Sequence, residues 1–594
     1  MPTGGLEDTL PPQVIGSKPG NYSVGFVGKS IEIEFSEFIK LEKINQQALI
    51  SPPLQKMPEF RLKGKKLLVK FDEDLKPETT YTIFFGDAIV DLTESNPLSS
   101  YTFVFSTGSV LDSMALKGKV HMAFDDVPAE GAFVFLYRIE EDTIPVDSLP
   151  FFKKPYYVAR TDKKGNFRFR NLRNEPYRMY ALEDRNSNFL YDKGGEGVAF
   201  SSEIVQPEYL EYKKTDSDSL GVFSLQDSAV IDHKDHKHAR ITAVNDSLVY
   251  AARLLADSLA FAKLRLLKLS MFYEVDSTQK LLRAEVVRKG QLNFSFRYPA
   301  ENVLVEPITT LPDSLKLIRM YSAKKDTLTW FFRDSIVDSV QVLVKMDTLF
   351  HDTLRLAMTP KVVAAAKRSQ KKAASTSGLS YTTPISGRRL DIGKTLDFSF
   401  PEPVIHYQMR DTNRWIAKGD TTYNQLKFVK VDSIGLKYRL DFQAFEPEGD
   451  YQLRMPDSVF FGLSGATNDT IDLAFKVPAL SDYGNLMLDV IPDFSGQMLI
   501  QLLTPKGDVV EQRSVQGRQK LSFSQMKPAK FVVKAIFDEN ANGRWDTGDL
   551  VAGKQPESVV YLDKELEIRA NWDLEEEWKV SLSKEVLPTV EPKD

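Results

Sequence analysis

The dominant pattern along the chain is an alternation of apolar and polar residues, in short runs that turn-forming residues separate. Clear examples are SIEIEF from Ser30, KLLVKF from Lys66, YTIFF from Tyr81 and YTFVF from Tyr101. Because successive side chains of a β-strand point to opposite faces, this period of two predicts half-buried strands. Many short strands at such spacing predict a mainly β fold built from sandwiches.

Two stretches depart from this alternation. Asp246 to Leu269 carries apolar residues at helix-compatible spacing behind a possible Asp-Ser cap, although two strands would also fit it. Lys361 to Ser380, KVVAAAKRSQKKAASTSGLS, is rich in Ala, Lys and Ser and has no apolar pattern, so we interpret it as a linker.

Repetition divides the chain further. GKTLDFSFPEPV from Gly393 matches GKSIEIEFSEFI from Gly28, and EPEGDYQLRMPDSV from Glu446 matches KPETTYTIFFGDAI from Lys76. Internal repeats of this length indicate an array of similar folding units. We therefore predict a tandem array of domains. A tether (1–11) is followed by a first sandwich (12–109), a second sandwich (112–205), a middle β domain with a possible helical lead-in (206–360) and a linker (361–380). A third sandwich (381–479) then repeats the first, a fourth (482–573) repeats the second, and an acidic, frayed tail (574–594) follows.

Composition restricts the function classes. The 594 residues suggest roughly four or five domains. The net charge is −5, from 77 basic and 82 acidic residues, which is not the footprint of a nucleic-acid-binding protein. The chain has no cysteine, so disulfides, a thiol nucleophile and cysteine-ligated metals are excluded. No apolar run approaches the ~18 residues of a membrane span, and no signal peptide is recognised.

One acidic loop matches an oxygen-rich calcium motif. FDENANGRWDTGD, from Phe537, has the order D-x-N-x-N-G-x5-acid. Calcium requires six to eight oxygen ligands, which one short loop can supply through alternate side chains and a carbonyl. The candidate ligands are Asp538, Asn540, Asn542, Arg544 through its carbonyl, Asp546 and Asp549. The alternative is a turn rich in Asx and Gly that is held by its own side chains.

A related loop lies upstream, in YRMYALEDRNSNFLYDKGGE. Asp184, Asn186, Asn188 and Asp192 repeat the spacing, and the offset from Asp184 to Asp538 equals that from Phe169 to Phe523 (538 − 184 = 523 − 169 = 354). Phe189 stands where the motif has glycine, and the closing acid, Glu196, is one residue late. A third hypothetical metal site is the histidine-rich stretch His233, His236 and His238, which also fits a solvated loop.

Several motifs resemble a known family. PTGGLEDTLPP, GKSIEIEFSE, LKPETTYTIFFGDAIVDL and YTFVFSTG are similar to the bacterial Ig-like domain of S-layer proteins, and in particular to Ig-like surface lipoproteins of Bacteroidetes. In those lipoproteins the PTGG segment follows a lipidated cysteine. The resemblance implies an outer-membrane or cell-surface protein that is lipid-anchored in its native form, with Met1 replacing the signal and lipobox.

The second and fourth sandwiches resemble the transthyretin-like or carboxypeptidase-regulatory β-sandwich. Its T-D-x-x-G-x-F-x-F hairpin is represented by Thr161, Asp162, Gly165, Phe167 and Phe169. In such modules these residues are structural, so the resemblance implies no catalysis.

No enzyme motif is present, and His121, His351 and His406 are isolated in the sequence. The predicted function is a non-catalytic cell-envelope scaffold or adhesin-like lipoprotein that presents a row of β-domains to an envelope protein or glycan. It would bind no nucleic acid and would reach a membrane only through a lipid anchor. The alternative is a glycan- or protein-binding accessory factor of an outer-membrane complex, with Trp330, Trp415 or Trp572 as candidate glycan-binding aromatics.

Overall fold

Strands dominate the described part of the chain, and they form mainly antiparallel sheets that pair into five β-sandwich units. The structure is a computed structural model that describes residues 8–99, 101–139, 145, 148–210, 258–275, 279–288, 290–300, 302–308, 317–332, 339–346, 351–357, 378–409, 414–417, 424–442 and 445–581. The predicted fold class, mainly β, is confirmed. His233, His236 and His238 and most of the predicted linker lie outside these ranges.

Unit 1 has the alternation that its sequence predicts. Ile31, Ile33 and Phe35 are fully buried on one face of their strand, and each contributes about 1.5–3 kcal/mol to folding by leaving water. The sheet orders are β1-β2-β6-β5, β4-β7-β9 and β3-β8. The elements are β1 (Val14–Lys18), β2 (Ser30–Phe35), β3 (Ile39–Leu41), α1 (Ile44–Gln47), β4 (Leu49–Ser51), β5 (Glu59–Lys63), β6 (Lys66–Lys70), β7 (Thr80–Phe84), β8 (Ile89–Asp91) and β9 (Thr102–Ser106).

Unit 2 extends further along the chain than the predicted boundary at residue 205. Its elements are β10 (Met114–Met122), β11 (Phe133–Arg138), α2 (Leu149–Phe152), β12 (Tyr157–Arg160), β13 (Asn166–Leu172), β14 (Tyr177–Leu182), β15 (Val198–Phe200), β16 (Glu208–Tyr209) and β17 (Leu266–Met271). The sheets are β13-β10-β16, with β17 parallel to β10, and β12-β11-β14-β15.

The predicted lead-in to the middle domain therefore completes unit 2. Residues 258–263 are helical, as one of the two alternatives expected, but Leu266 already belongs to β17. Phe261 and Leu264 are buried against Ala115 at the start of β10. In the structure this segment is a helix followed directly by a strand. Neither alternative, one helix or two strands, described that combination.

Unit 3 is a separate sandwich with Trp330 in its core. Its sheets are β18-β19-β22-β21 and β20-β23-β24. The strands are β18 (Leu281–Arg288), β19 (Gln291–Phe296), β20 (Leu304–Pro307), β21 (Ile318–Tyr321), β22 (Thr327–Phe331), β23 (Ser339–Lys345) and β24 (His351–Ala357).

Unit 4 repeats the strand order of unit 1. Its sheets β25-β30-β29, β27-β31-β33 and β26-β32 correspond to β2-β6-β5, β4-β7-β9 and β3-β8, and β28 is an additional strand beside β27. Leu379, inside the predicted linker, is buried in its core. The strands are β25 (Asp397–Ser399), β26 (Val404–Tyr407), β27 (Arg414–Ala417), β28 (Asn424–Gln425), β29 (Phe428–Lys430), β30 (Lys437–Leu440), β31 (Asp450–Met455), β32 (Phe460–Gly462) and β33 (Ile471–Lys476).

A tyrosine shows how closely units 1 and 4 agree. The hydroxyl of Tyr81 accepts the main-chain N–H of Lys76 at 2.8 Å, and that of Tyr451 accepts the N–H of Glu446 at 2.8 Å. Each buried ring thereby fixes the turn that precedes its own strand, so the sequence match between these two segments reflects one shared structural device.

Unit 5 repeats unit 2. A 3₁₀ turn, Leu480–Asp482, precedes the sheets β37-β34-β41 and β36-β35-β38-β39, with β40 on β38. The strands are β34 (Gly484–Pro492), β35 (Gln497–Leu503), β36 (Val509–Gln516), β37 (Gln519–Met526), β38 (Ala529–Asp538), β39 (Val559–Tyr561), β40 (Leu566–Ile568) and β41 (Asp573–Val580). Both units break register at one place: Met114↔Leu172 and Leu116↔Phe169 correspond to Gly484↔Met526 and Leu486↔Phe523 (484 − 114 = 486 − 116 = 370; 526 − 172 = 523 − 169 = 354).

The expectation of a frayed acidic tail from residue 574 is wrong as far as Val580. β41 pairs parallel with β34 along its whole length, as β17 does with β10 in unit 2. Trp578 and Val580 are buried in the core, while Glu575 and Glu577 alternate with them on the exposed face. Because the segment is rich in charged residues, its alternation of buried and exposed positions was not recognised as a strand.

Candidate functional site

The first acidic loop begins where β38 ends, and Asp538 organises it. Asp538 is buried, and its two carboxylate oxygens accept the main-chain N–H groups of Asn542 at 3.0 Å and Gly543 at 2.9 Å. The side-chain amide of Gln497 donates a further hydrogen bond to Asp538 Oδ2 at 2.9 Å. The loop is therefore wound round one carboxylate that the strand holds in place.

The other predicted ligands converge on Asp546. The side-chain amides of Asn540 and Asn542 both donate to Asp546 Oδ2, the second at 2.8 Å. Asn542 Oδ1 in turn accepts the main-chain N–H of Arg544 at 2.9 Å. Four of the predicted side chains are thus brought together, and the carbonyl of Arg544 belongs to the same turn.

Glu557 also belongs to this loop, and the motif search missed it. Its side chain is buried, Oε1 accepts the N–H of Glu539 at 3.0 Å, and Oε2 accepts the N–H of Asp546 at 2.9 Å. Burial raises the pKa of Glu557, and repulsion from the carboxylates of Asp546 and Asp538 raises it further. A third carboxylate therefore closes the cluster.

Asp549, the acid that the motif assigned to this position, holds a separate turn. Its Oδ1 accepts the N–H of Ala552 at 2.8 Å, and its main chain pairs with Lys554 in both directions at 2.8 Å. The carboxyl group of Asp549 therefore caps that turn, whereas Glu557 is the acid that hydrogen-bonds to the main chain of the loop itself.

The upstream loop of unit 2 contains the same network. Asp184 accepts the N–H of Phe189 at 2.9 Å, the side-chain amide of Asn186 donates to Asp192 Oδ2 at 2.7 Å, and that of Asn188 donates to the same atom at 3.4 Å. Phe189 has a φ of 59°, so it adopts the left-handed backbone that Gly543 adopts at 80°.

Glu196 completes the upstream loop as Glu557 completes the downstream one. It is buried, and it accepts the N–H groups of Arg185 at 3.0 Å and Asp192 at 3.1 Å. Burial raises its pKa, with additional repulsion from Asp184 and Asp192. Each closing glutamate stands two residues before the next strand, β15 or β39. That shared position is the sequence signal that could have identified Glu557.

The donor set suits a hard cation but is not a cluster of acids alone. Within the described ranges no three His, Cys, Asp or Glu side chains are placed to hold a metal by themselves. A cation would also need amide oxygens from Asn540 and Asn542 or their upstream equivalents, and main-chain carbonyls. Oxygen donors of this kind fit calcium or magnesium and not a soft transition metal.

The candidate glycan-binding tryptophans are placed differently from one another. Trp330 is fully buried in unit 3, and Trp415 packs on Phe442 with ring centroids 4.5 Å apart. Trp572 is 60% exposed, with the guanidinium of Arg569 lying 5.5 Å from its ring. Trp330 and Trp415 therefore pack in the hydrophobic cores of their units.

One serine–histidine–acid grouping forms in unit 2, but its geometry is not that of a catalytic triad. Ser270 Oγ lies 3.2 Å and Asp126 Oδ1 3.9 Å from the same atom, His121 Nε2. A triad needs the acid and the nucleophile on opposite ring nitrogens. Burial lowers the pKa of His121, so the neutral imidazole is favoured, as expected for a histidine buried in a strand.

Comparison with known proteins identifies one of these units. Residues 8–107, which contain unit 1, match the bacterial Ig-like domain family. The match covers unit 1. No curated protein matches the chain. A bilayer-spanning helix does not occur among the described residues.

Solved structures with tandem β-domains are similar at low identity. The S-layer protein rSbsC is 11% identical, over 91% of this chain and 67% of that chain, with a TM-score of 0.13. BcpA, the major pilin subunit of Bacillus cereus, is 9% identical over 79% and 99%, with a TM-score of 0.15. The titin I9–I11 tandem is 12% identical over 50% and 100%, with a TM-score of 0.11. These scores are too low to carry a conclusion about function.

Proposed function

We propose that the chain is a non-catalytic scaffold of the cell surface, in which β-sandwich units position an envelope protein or glycan. The observation that carries this proposal is the construction of the molecule: each of the five units closes its own hydrophobic core. The polar clusters described above hold loops in place and do not assemble a reactive group. The bacterial Ig-like match of unit 1 supports the same function.

The attachment we propose is a lipid anchor N-terminal to unit 1, on the outer membrane or cell surface. Its support is the resemblance of the PTGG segment to Ig-like lipoproteins. Protease treatment of intact native cells, followed by cell fractionation, tests the location. We expect an externally added protease to remove the protein and a fatty-acid label to be incorporated. Recovery of intact, unlabelled protein from the cytosol would refute the proposal.

We also propose that each acidic loop holds a structural calcium ion. In unit 5 the ligands would be Asp538, Asn540, Asn542, the carbonyl of Arg544, Asp546 and Glu557, and in unit 2 Asp184, Asn186, Asn188, Asp192 and Glu196. The ion would neutralise three carboxylates that otherwise repel one another. Extracellular calcium modules have dissociation constants of about 10⁻⁴–10⁻³ M, and saturation at about 100 times that value stabilises a fold by about 2.7 kcal/mol.

Calorimetry of the whole chain with calcium and with chelator tests the cation proposal. Calcium should raise the unfolding transitions of units 2 and 5. Asp538→Ala and Asp184→Ala should each abolish the response of one unit, and Glu575→Ala, which removes an exposed carboxylate of β41, should abolish neither. Equal midpoints with calcium and with chelator would show that the loops are turns that need no cation.

A further inference from the structure

The chain folds back on itself, because unit 5 contacts unit 2 although units 3 and 4 lie between them in sequence. The hydrogen bonds across this contact are made by residues 547–555, which lie between Asp546 and Glu557 of the unit 5 loop, and Trp545 and Lys534 of unit 5 contact the ring of Phe124 in unit 2. Thr547 Oγ1 donates to the carbonyl of Tyr273 at 2.8 Å. The side-chain amide of Gln555 donates to the carbonyl of Phe200 at 2.9 Å and to Ser202 Oγ at 3.2 Å.

Leu550 provides the apolar part of this contact. It is buried, and it packs in a cluster with Phe200, Phe272 and Tyr191 of unit 2 on the outer face of the sheet β12-β11-β14-β15. The approach is close beside it, because a Cβ on Gly548 would stand 2.5 Å from the ring of Phe272. The loop of unit 5 therefore fills a socket that unit 2 presents.

Glu274 is the polar centre of the socket. Its side chain is buried, Oε1 accepts the N–H of Leu550 at 2.6 Å, and Oε2 accepts the hydroxyl of Tyr191 at 3.1 Å. The ammonium group of Lys193 lies 3.3 Å from Oε2. One carboxylate thus joins the acidic loop of unit 2, through Tyr191 and Lys193, to the equivalent loop of unit 5.

We propose that this contact is a latch by which the chain closes on itself, with the last unit of the same chain as the partner of the unit 2 socket. Closing the latch holds units 3 and 4 as a loop between two joined sandwiches, and opening it extends the array. Contacts between units of one chain are commonly of the size and polarity that permit such motion. The hydrogen bonds of the latch come from Thr547, Leu550, Gln555 and Glu274, and none of these residues is a proposed cation ligand.

The energetic centre of the latch is Glu274. Removing its carboxylate would leave the buried N–H of Leu550 and hydroxyl of Tyr191 without an acceptor, which is costly because neither group regains water in the closed state. In the open state water can hydrate both groups. Loss of Glu274 should therefore shift the equilibrium toward the open chain.

Cross-linking tests the latch, and the absence of cysteine from the chain makes the test clean. Ser202→Cys and Gln555→Cys place two thiols where the native side chains are in contact. With a short bismaleimide the double variant should give one intramolecular product in a monomer. Adding Glu274→Ala should slow this reaction at least tenfold. Glu274→Gln should slow it less, because the glutamine side chain keeps one acceptor oxygen. Glu130→Ala, which removes an exposed carboxylate of unit 2, should leave the rate unchanged.

Leu550→Ala gives a second perturbation, made entirely on unit 5, and should also slow the reaction at least tenfold. Thermal unfolding of each variant checks that units 2 and 5 remain folded. A cross-linking rate in Glu274→Ala and Leu550→Ala equal to that of the parent would overturn the latch. A covalent dimer as the main product would overturn it as well, because the partner would then be a second copy of the chain.

Discussion

Lys534 is a buried cation at the contact between units 2 and 5, and replacing it with methionine tests how charge and packing balance there. The residue is 2% exposed on β38, beside Gln501 and Tyr561 on the neighbouring strands. Its ammonium group lies 3.2 Å from the centroid of the Phe124 ring of unit 2. Burial lowers the pKa of Lys534 from 10.5 to about 8, and Asp125 opposes this only partly.

The lowered pKa sets the size of the effect. A difference of about 2.5 pKa units corresponds to about 3.4 kcal/mol of unfavourable free energy for the charged folded form, at about 1.36 kcal/mol per unit. This free energy already includes the attraction between the ammonium group and the Phe124 ring, because that attraction acts on the same charged form. Lys534→Met keeps the length of the side chain and removes the charge, so it should stabilise unit 5 by about 1–3 kcal/mol at pH 7.

The pH dependence separates this explanation from simple repacking. Because the folded state holds the lysine proton less tightly, the unfolded state binds more protons above pH 8, and stability rises with pH until the unfolded lysine titrates near pH 10.5. Between pH 7 and pH 9.5 the wild type should gain about 2 kcal/mol relative to Lys534→Met. Calorimetry of the unit 5 transition measures this difference, with the exposed Lys530→Met as control. Parallel pH profiles for wild type and Lys534→Met would show that the charge of Lys534 does not control the stability of unit 5.

Other variants test the loop, the last strand and the repeated tyrosine. Glu557→Gln should remove most of the calcium-dependent rise in the unit 5 transition and Asp549→Ala should not; equal responses would return the closing role to Asp549. Trp578→Ala should destabilise unit 5 by about 3–5 kcal/mol and the exposed Trp572→Ala by less than about 0.5 kcal/mol, as measured by calorimetry; similar losses would contradict the placement of β41. Tyr451→Phe should cost unit 4 about 1 kcal/mol, because a main-chain N–H loses its acceptor; an unchanged unit 4 midpoint would count against that hydrogen bond.

Because units 2 and 5 are in contact, the molecule differs from the extended row of domains that its repeats suggest. A tandem array of sandwiches predicts a row in which each unit contacts its sequence neighbours. Here the second and last units also meet, through Glu274 and Leu550, 276 residues apart. A partner bound by units 3 or 4 would therefore be held on a closed loop of the chain and not at the end of a rod.

Features that depend on near neighbours along the chain can be predicted from the sequence alone. The alternation of Ile31, Ile33 and Phe35 predicts which face of a strand is buried, because the period of a strand is fixed by its backbone. The spacing of Asp538, Asn540, Asn542 and Asp546 predicts convergence, because one short turn brings alternate side chains together. The match between repeated segments predicts equivalent units for the same local reason.

Features that depend on a partner far away in the sequence become visible only in the folded chain. β17 and β41 lie parallel to the first strands of their units, at separations of 149 residues (266 − 117) and 88 residues (573 − 485). No local pattern specifies such a partner, so the sequence assigned one strand to a lead-in and the other to a tail. Glu557 closes its loop only because β39 returns beside β38, and Glu274 becomes a shared acceptor only because unit 5 packs on unit 2. The local period of two therefore predicts the strands. Which polar side chains hydrogen-bond to one another depends on how strands that are distant in the sequence pack together.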